Sequence, residues 1–297
     1  MPNGLRLSAT AVAGPLQQLK PGMGVWIGNG MVRIPACELC IRLPTAFPWE
    51  PRPTVAAGCW HRDTVAHHAF LLAHHLAGRS TQGGLAVLAG PLLLGWTELH
   101  ADNIYPPMLL NSSAKPGHHR QSMATAYPSA GGSWCSQATL AQMALPALRA
   151  LALATQKQDI AGVVEAAQRL AGLGPGLTPS GDDTLAGFAA VIALLGAQLS
   201  TDAAPREHIA AAIAATARPR TTMLSATLLA HAAHGEVAEP LGDLLLALVQ
   251  PGAEHETLFQ AAARLLSLGA TSGCDALLGV LLGLQALSDE TCAENVY

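Results

Sequence analysis

The chain has 297 residues, half of them apolar and 12% charged, with a formal net charge of -4. That composition excludes a disordered chain and supplies a core for one large or two ordinary domains. Without basic runs it also excludes DNA or RNA as a partner held through its phosphates, while the scarcity of charge leaves apolar surface for other protein, either dissimilar subunits or further copies.

The opening residues, Met1 to Leu19, are broken by Pro15 and glutamines and lack a continuous apolar stretch after a basic start, so no secretory signal is expected. From Met23 to Leu43, Val25, Ile27, Val32, Ile34, Leu39, Ile41 and Leu43 recur at alternate positions around Gly28-Asn29-Gly30, a strand-turn-strand pattern. Asp63 to Leu76 reads as a helix. Leu85 to Leu88 and Leu92 to Leu94, split by Gly90-Pro91, read as a second strand group. Residues 1–110 are therefore expected to form a small β-rich α+β module. Asn111 to Trp134 has few large apolar side chains, and residues 111–135 are placed as a linker or loop.

Residues 136–297 read as helical. Ser136, Asp159, Ser180, Asp202, Thr222 and Ser272 are candidate N-caps, and Gly172, Gly196 and Gly235 candidate stops. Six to eight helices are expected. The two most apolar runs, Leu185 to Leu195 and Ala276 to Leu287, lie in the middle of a bundle because they offer water no polar face. Both fall short of the roughly 18 apolar residues a membrane span requires, so no membrane partner is expected and the cytoplasm is the expected compartment. The fold class is α+β: a β-rich N-terminal module, then a mainly α-helical bundle.

One stretch stands apart. Gly172-Leu173-Gly174-Pro175-Gly176-Leu177-Thr178-Pro179 leads into Ser180-Gly181-Asp182-Asp183-Thr184-Leu185-Ala186-Gly187, and Ser272-Gly273-Cys274-Asp275-Ala276-Leu277-Leu278-Gly279 repeats the second part as Ser-Gly-x-Asp-x-Leu-x-Gly. A threonine precedes each, Thr178 and Thr271. The two helix starts are expected to lie side by side.

Two readings are open. In the first, each Ser-Gly-x-Asp is a capping box, serine and aspartate exchanging hydrogen bonds with each other's backbone N–H; this accounts for Ser180, Asp183, Ser272 and Asp275 with no ligand. In the second, Gly174, Gly176 and Gly181 let backbone approach a small anion cradled by the N–H groups of two helix starts. Asp182 would then turn away, toward a partner such as Arg220, or hold a divalent cation against a phosphate. Arg218-Pro219-Arg220-Thr221-Thr222 with Ser225 is a third polar cluster, in which Arg220 either forks onto a carboxylate or phosphate or is an exposed arginine beside a threonine cap.

Histidines 67, 68, 74 and 75 include no i, i+4 pair, which argues against a zinc site. Cys37 and Cys40 have no second pair and read as structural, and six scattered cysteines make no disulfide framework. No cofactor is expected, a magnesium ion being the alternative. The Gly-x-x-x-x-Gly-Lys-Ser/Thr loop of phosphoryl-transfer enzymes is missing, and no lysine stands near the motif.

The run from Gly172 to Asp183, Thr221-x-x-x-Ser225 and Leu268-Gly-Ala-Thr-Ser-Gly-Cys-Asp275 with Gly279 resembles a bacterial domain-of-unknown-function family that includes a subunit of oxamate carbamoyltransferase from allantoin breakdown. The resemblance covers Gln137 to Leu287. It implies reversible carbamoyl transfer between carbamoyl phosphate and the oxamate nitrogen, giving oxalurate and phosphate, in an assembly of dissimilar subunits. On that basis Gly174, Gly176, Thr178, Ser180, Thr271 and Ser272 are expected to cradle the anionic substrate, with Gly181, Arg220, Thr221 and Ser225 around them. Asp182 and Asp275 are expected to orient the amide nitrogen or move its proton. The rivals are a non-catalytic assembly or regulatory subunit and a magnesium-dependent phosphoryl-transfer enzyme.

Overall fold

The computed structural model describes residues 17–20, 22–43, 50–55, 62–78, 83–94, 137–199, 204–252 and 255–288. The chain divides into two compact units, Met1–Pro51 and Arg52–Tyr297.

The first unit carries a three-stranded antiparallel sheet: β1 (Trp26–Gly28), β2 (Met31–Ile34) and β3 (Leu39–Arg42), in the order β1-β2-β3. Asn29 and Gly30 both take positive φ, 50° and 68°, the two left-handed residues a tight hairpin turn requires. They set Gly28 opposite Met31 and Trp26 opposite Arg33. Between β2 and β3 the chain makes a 3-10 turn, Pro35–Cys37, released through left-handed Glu38. Ile34, Cys37 and Leu39 form this unit's small apolar cluster. Cys37 is thus on a turn rather than on a strand, and Cys37, Cys40 and Cys274 are in no disulfide.

The second unit is a helical bundle. Among the described residues it contains α1 (Arg62–Gly78), α2 (Gln137–Gln156), α3 (Ile160–Leu170), α4 (Ser180–Leu199), α5 (Ala204–Ala217), α6 (Met223–Ala233), α7 (Glu239–Val249), α8 (His255–Leu266) and α9 (Ser272–Ser288). The architecture is therefore α+β, a small N-terminal β unit followed by a helical domain. One apolar cluster runs through α1, the segment after it and all the later helices. The two units part at Pro51, and Leu72, Leu76, Leu85, Leu88, Leu92 and Leu93 are buried in the core of the helical unit.

That segment is not a strand group. Ala86–Leu88 is a 3-10 turn and Gly90–Leu94 a π-helical turn. Leu85, Ala86, Leu88, Ala89, Leu92 and Leu93 are buried while Val87 is exposed, so burial does not alternate, and a short apolar run of this kind is one in which residue pattern does not separate strand from helix. Asp159 caps α3, accepting from Gly162 N–H at 3.0 Å, and Thr222 caps α6, accepting from Ser225 N–H at 3.1 Å. Gly172 and Gly235 close α3 and α6 with positive φ. Gly196 stops nothing: α4 continues to Leu199, the burial of Leu194 and Leu195 before it outweighing the cost of about 1 kcal/mol for a helical glycine. The candidate caps Ser136 and Asp202 and the proposed linker at 111–135 lie outside the described residues.

By length and composition one described helix, Ala138–Gln156 within α2, could cross a membrane. It is not one of the two most apolar runs, and its inner face, Leu140, Ala144, Leu148 and Leu151, belongs to the bundle core.

The apolar pair α4 and α9 cross at the centre. A Cβ on Gly187 would overlap the carbonyl oxygen of Ala276, and one on Gly279 would overlap that of Thr184. Since Gly187 and Gly279 hold the same place in the repeated motif, as do Thr184 and Ala276, the contact is reciprocal, as a local two-fold axis between the helices requires. The repeat extends backwards. Gly181 lies under the Leu170 carbonyl at the end of α3 and donates to Leu173 O at 2.9 Å; Gly273 lies under the Leu265 carbonyl near the end of α8 and donates to Leu268 O at 3.0 Å. Two helix-turn-helix units, α3–α4 and α8–α9, face each other.

Candidate functional site

The crossing places the two Ser-Gly-x-Asp helix starts side by side. Thr178 Oγ1 and Ser272 Oγ are 3.2 Å apart, one from each repeat. Gly174 at φ 118° and Gly269 at φ 59° pack beside the serines of their own repeats: an added Cβ would stand 2.9 Å from Ser180 N and 3.1 Å from Ser272 Oγ. Gly176 also has positive φ, 99°, but its Cβ would meet open space, so the tip Pro175-Gly176-Leu177 needs glycine for its backbone angle alone.

The capping boxes do not form. Asp183 N–H donates to Pro179 O at 3.0 Å and Asp275 N–H to Thr271 O at 2.9 Å, so the serine hydroxyls are not capping those amides. Ser180 and Ser272 are themselves the first helical residues, and each acid is served by the opposite helix. The Ser272 hydroxyl faces Asp183, and the Ser180 hydroxyl faces Asp275; the threonine of its own repeat, Thr178 or Thr271, attends each acid as well.

This exchange sets the charges. Burial pushes the Asp183 carboxyl up to about 7, with Ser272 drawing it back, the Asp275 charge raising it further, and Thr178 and Asp182 adding smaller opposing effects. Burial likewise raises Asp275, to about 6, against the N–H of Leu85, the hydroxyls of Ser180 and Thr271 and the N–H of Ala86. Asp275 is completely buried. Its Oδ1 accepts from Leu85 N–H at 2.5 Å and Ala86 N–H at 3.2 Å, and a Cβ on Gly84 would stand 2.5 Å from both its oxygens. Oδ2 of Asp275 and Oδ2 of Asp183 are buried without a hydrogen-bond partner.

The remaining candidates form a brace behind the loop. Asp182, also buried, accepts from Gly172 N–H at 2.9 Å through Oδ1 and from the Thr221 hydroxyl through Oδ2. Thr222 donates its hydroxyl to Leu177 O at 2.6 Å, and the Arg220 carbonyl sits over Gly172 where a Cβ would overlap it. Arg220 is exposed, and Ser225 is buried beneath the Thr222 cap. So Thr178, Ser180, Gly181, Thr271, Ser272 and Asp275 come together, whereas Asp182 and Thr221 join the loop to the α5–α6 turn and Ser225 lies in the cap of α6.

Asp183 is the residue that motif reading left as a cap. The signal was in the repeat: Asp183, not Asp182, corresponds to Asp275, and Asp182 corresponds to Cys274.

The histidines assemble elsewhere. His67 Nε2 lies 3.2 Å from His255 Nε2, and burial with His255 and His68 lowers the His67 pKa. Buried His68 bonds the Leu248 carbonyl at 2.9 Å through Nδ1. His231 pairs with Glu236 at 2.6 Å and His234 with its own helix at Ala230 O, 2.7 Å. Among the described residues no three His, Cys, Asp or Glu side chains converge as metal ligands.

The class defined here is a helical protein with an internally repeated site: two helix N-termini, four hydroxyls and two buried carboxyls of raised pKa. Residues 170–284, from the last turn of α3 into α9 and spanning both helix starts, match the family described as oxamate carbamoyltransferase subunit AllH. No solved structure matches the chain.

Proposed function

We propose that the chain is a subunit of an oxamate carbamoyltransferase, working in a cytosolic assembly with dissimilar subunits, and that its small anionic substrate binds between the N-termini of α4 and α9. The observation that carries this reading is the paired start itself. Two helix N-termini converge with Thr178, Ser180, Thr271 and Ser272 between them, inside the segment that matches the family. The first-turn N–H groups of both helices are largely committed to backbone carbonyls, so the hydroxyls at the two starts, backed by the positive ends of the helix dipoles, would meet a carboxylate or phosphate and the oxygen that gains charge as the carbamoyl carbon becomes tetrahedral. Gly174 and Gly176 let the loop backbone close on the anion. Asp275 serves the acceptor nitrogen. Asp182 and Thr221 hold the loop to the α5–α6 turn, and Ser225 supports that turn.

In the reaction the acceptor nitrogen bonds the carbamoyl carbon, the carbon–phosphate oxygen bond breaks, and the proton leaving nitrogen ends on phosphate. No cofactor enters this reading. Asp182, which a magnesium ion would need beside a phosphate, spends both oxygens on Gly172 and Thr221.

The partner's seat is assigned to the rim. Leu177 on the loop and Met223 at the start of α6 are 72% and 87% exposed, and the bond from Thr222 to Leu177 O holds the two segments together. Large apolar side chains clustered beside a candidate site suit a subunit that closes over it. Arg220, exposed on the same turn, would meet an anion arriving from solvent.

The test is oxalurate formation from oxamate and carbamoyl phosphate by the chain with its partner subunits, together with thermal protection by each ligand. Ser272→Ala is expected to lower turnover at least tenfold with the assembly intact. An assembly neither active on nor protected by oxamate, oxalurate or carbamoyl phosphate would refute the reading; Met223→Glu that leaves co-purification unchanged would remove the rim from it.

A further inference from the structure

Two acceptors in the paired start have no donor, and this asks for a ligand of definite chemistry. Oδ2 of Asp183 and Oδ2 of Asp275 are buried without a hydrogen-bond partner, and Asp275 is wholly enclosed. A buried acceptor left unmade is costly, so the space between these helices has a standing demand for N–H or O–H donors. The protein's own donors do not reach them: Leu85 and Ala86 N–H go to the other oxygen of Asp275, and the hydroxyls that attend the acids, Ser180 and Thr271 at Asp275 and Ser272 and Thr178 at Asp183, leave both Oδ2 atoms without a bond.

We infer that Asp183 and Asp275 together recognise the –NH2 of a primary carboxamide or carbamoyl group carried by the small anion, making the two aspartates the specificity-determining residues of the site. The inference rests on the proposed binding of that anion between α4 and α9. Three donors could in principle meet the demand. A metal ion is poorly served, since the described residues provide no third His, Cys, Asp or Glu ligand. An ammonium or guanidinium gains less here than at an exposed acid, because burial favours the neutral form of both carboxyls. An uncharged planar –NH2 supplies two N–H donors, one for each acid, at no cost in charge. The same ligand's carboxylate or phosphate then lies at the positive ends of the two helix dipoles, among the hydroxyls there. Acceptors and donors are thus matched to opposite ends of one small molecule. Asp182 takes no part, because both its oxygens are occupied.

The test uses pairs of ligands that differ only by –NH2 against –CH3: oxamate against pyruvate, and carbamoyl phosphate against acetyl phosphate. Dissociation constants are measured by calorimetry on the full chain with its partner subunits. The amino member of at least one pair is expected to bind roughly tenfold or more tightly, and Asp183→Ala to reduce that ratio toward one while the methyl ligand binds as before. Equal binding of both members in both pairs overturns the inference and leaves the anion site standing. Absence of binding by all four ligands removes the anion site and the inference with it. The wild-type comparison decides the matter even if Asp183→Ala does not fold.

Discussion

The two helix starts share a motif and differ in their approaches. Before α9 the chain turns in five residues, 267–271; before α4 it takes nine, 171–179, with Pro175-Gly176-Leu177 at an exposed tip and Asp182 bracing the base to Thr221. Cys274 holds the place of Asp182 in the second repeat. What is common, Ser-Gly-x-Asp-x-Leu-x-Gly, builds the crossing and exchanges acids and hydroxyls across it. What is unique to the first repeat builds a loop. The comparison separates residues that make two helices meet from residues that give the meeting place a rim.

The largest expected effect tests the shared part. Gly187→Ala and Gly279→Ala each drive a methyl into a backbone carbonyl that cannot swing aside, and each is expected to cost about 3 kcal/mol or more in urea unfolding. Reciprocity requires losses of similar size; a large loss at one glycine and none at the other would break the comparison. Asp182→Ala follows, expected to cost about 2–3 kcal/mol by leaving Gly172 N–H and the Thr221 hydroxyl without their acceptor, whereas Cys274→Ala is expected to cost less than about 1 kcal/mol.

Asp183→Asn goes the other way. A folded-state pKa raised from 3.8 to about 7 means the native protein favours the protonated acid. The stability it confers is fully present below about pH 4 and is lost as pH rises through 7. The upper bound is ~4 kcal/mol at about 1.4 kcal/mol per pH unit. After the altered contacts with Ser272 and Thr178 are allowed for, the variant is expected to be about 2 kcal/mol more stable than the wild type at pH 8, the gap closing toward pH 4. A pH-independent difference in melting temperature would contradict that. The smallest effect belongs to Arg220→Ala, an exposed side chain, with stability within about 0.5 kcal/mol of the wild type and any loss confined to binding.

Much of this was legible in the residues. Alternation around Asn29-Gly30 gave the hairpin, Asp159 and Thr222 gave caps, and the repeated motif gave the adjacency of α4 and α9. What was not legible depends on direction or on surroundings. Asp182 and Asp183 are neighbours in sequence but point about 100° apart on a helix, so one faces the loop and the other the opposite helix. Asp183 and Asp275 each fit a capping box, and only the opposing repeat shows that their hydroxyl partners lie across the axis. Leu85 to Leu93 carries strand-like residues most of which are buried in turns of the helical unit, and Gly196 lies where burial overrides a stop.

The glycine crossing also works as a ruler. Because α4 and α9 touch through backbone at Gly187 and Gly279, the distance between their first turns is fixed by bond lengths and the helical pitch, not by side chains that can repack. A lineage adapting this site to a larger or smaller molecule could not do so by trimming the core. It would have to alter the two approaches, 171–179 and 267–271, and the loop lengths already differ there.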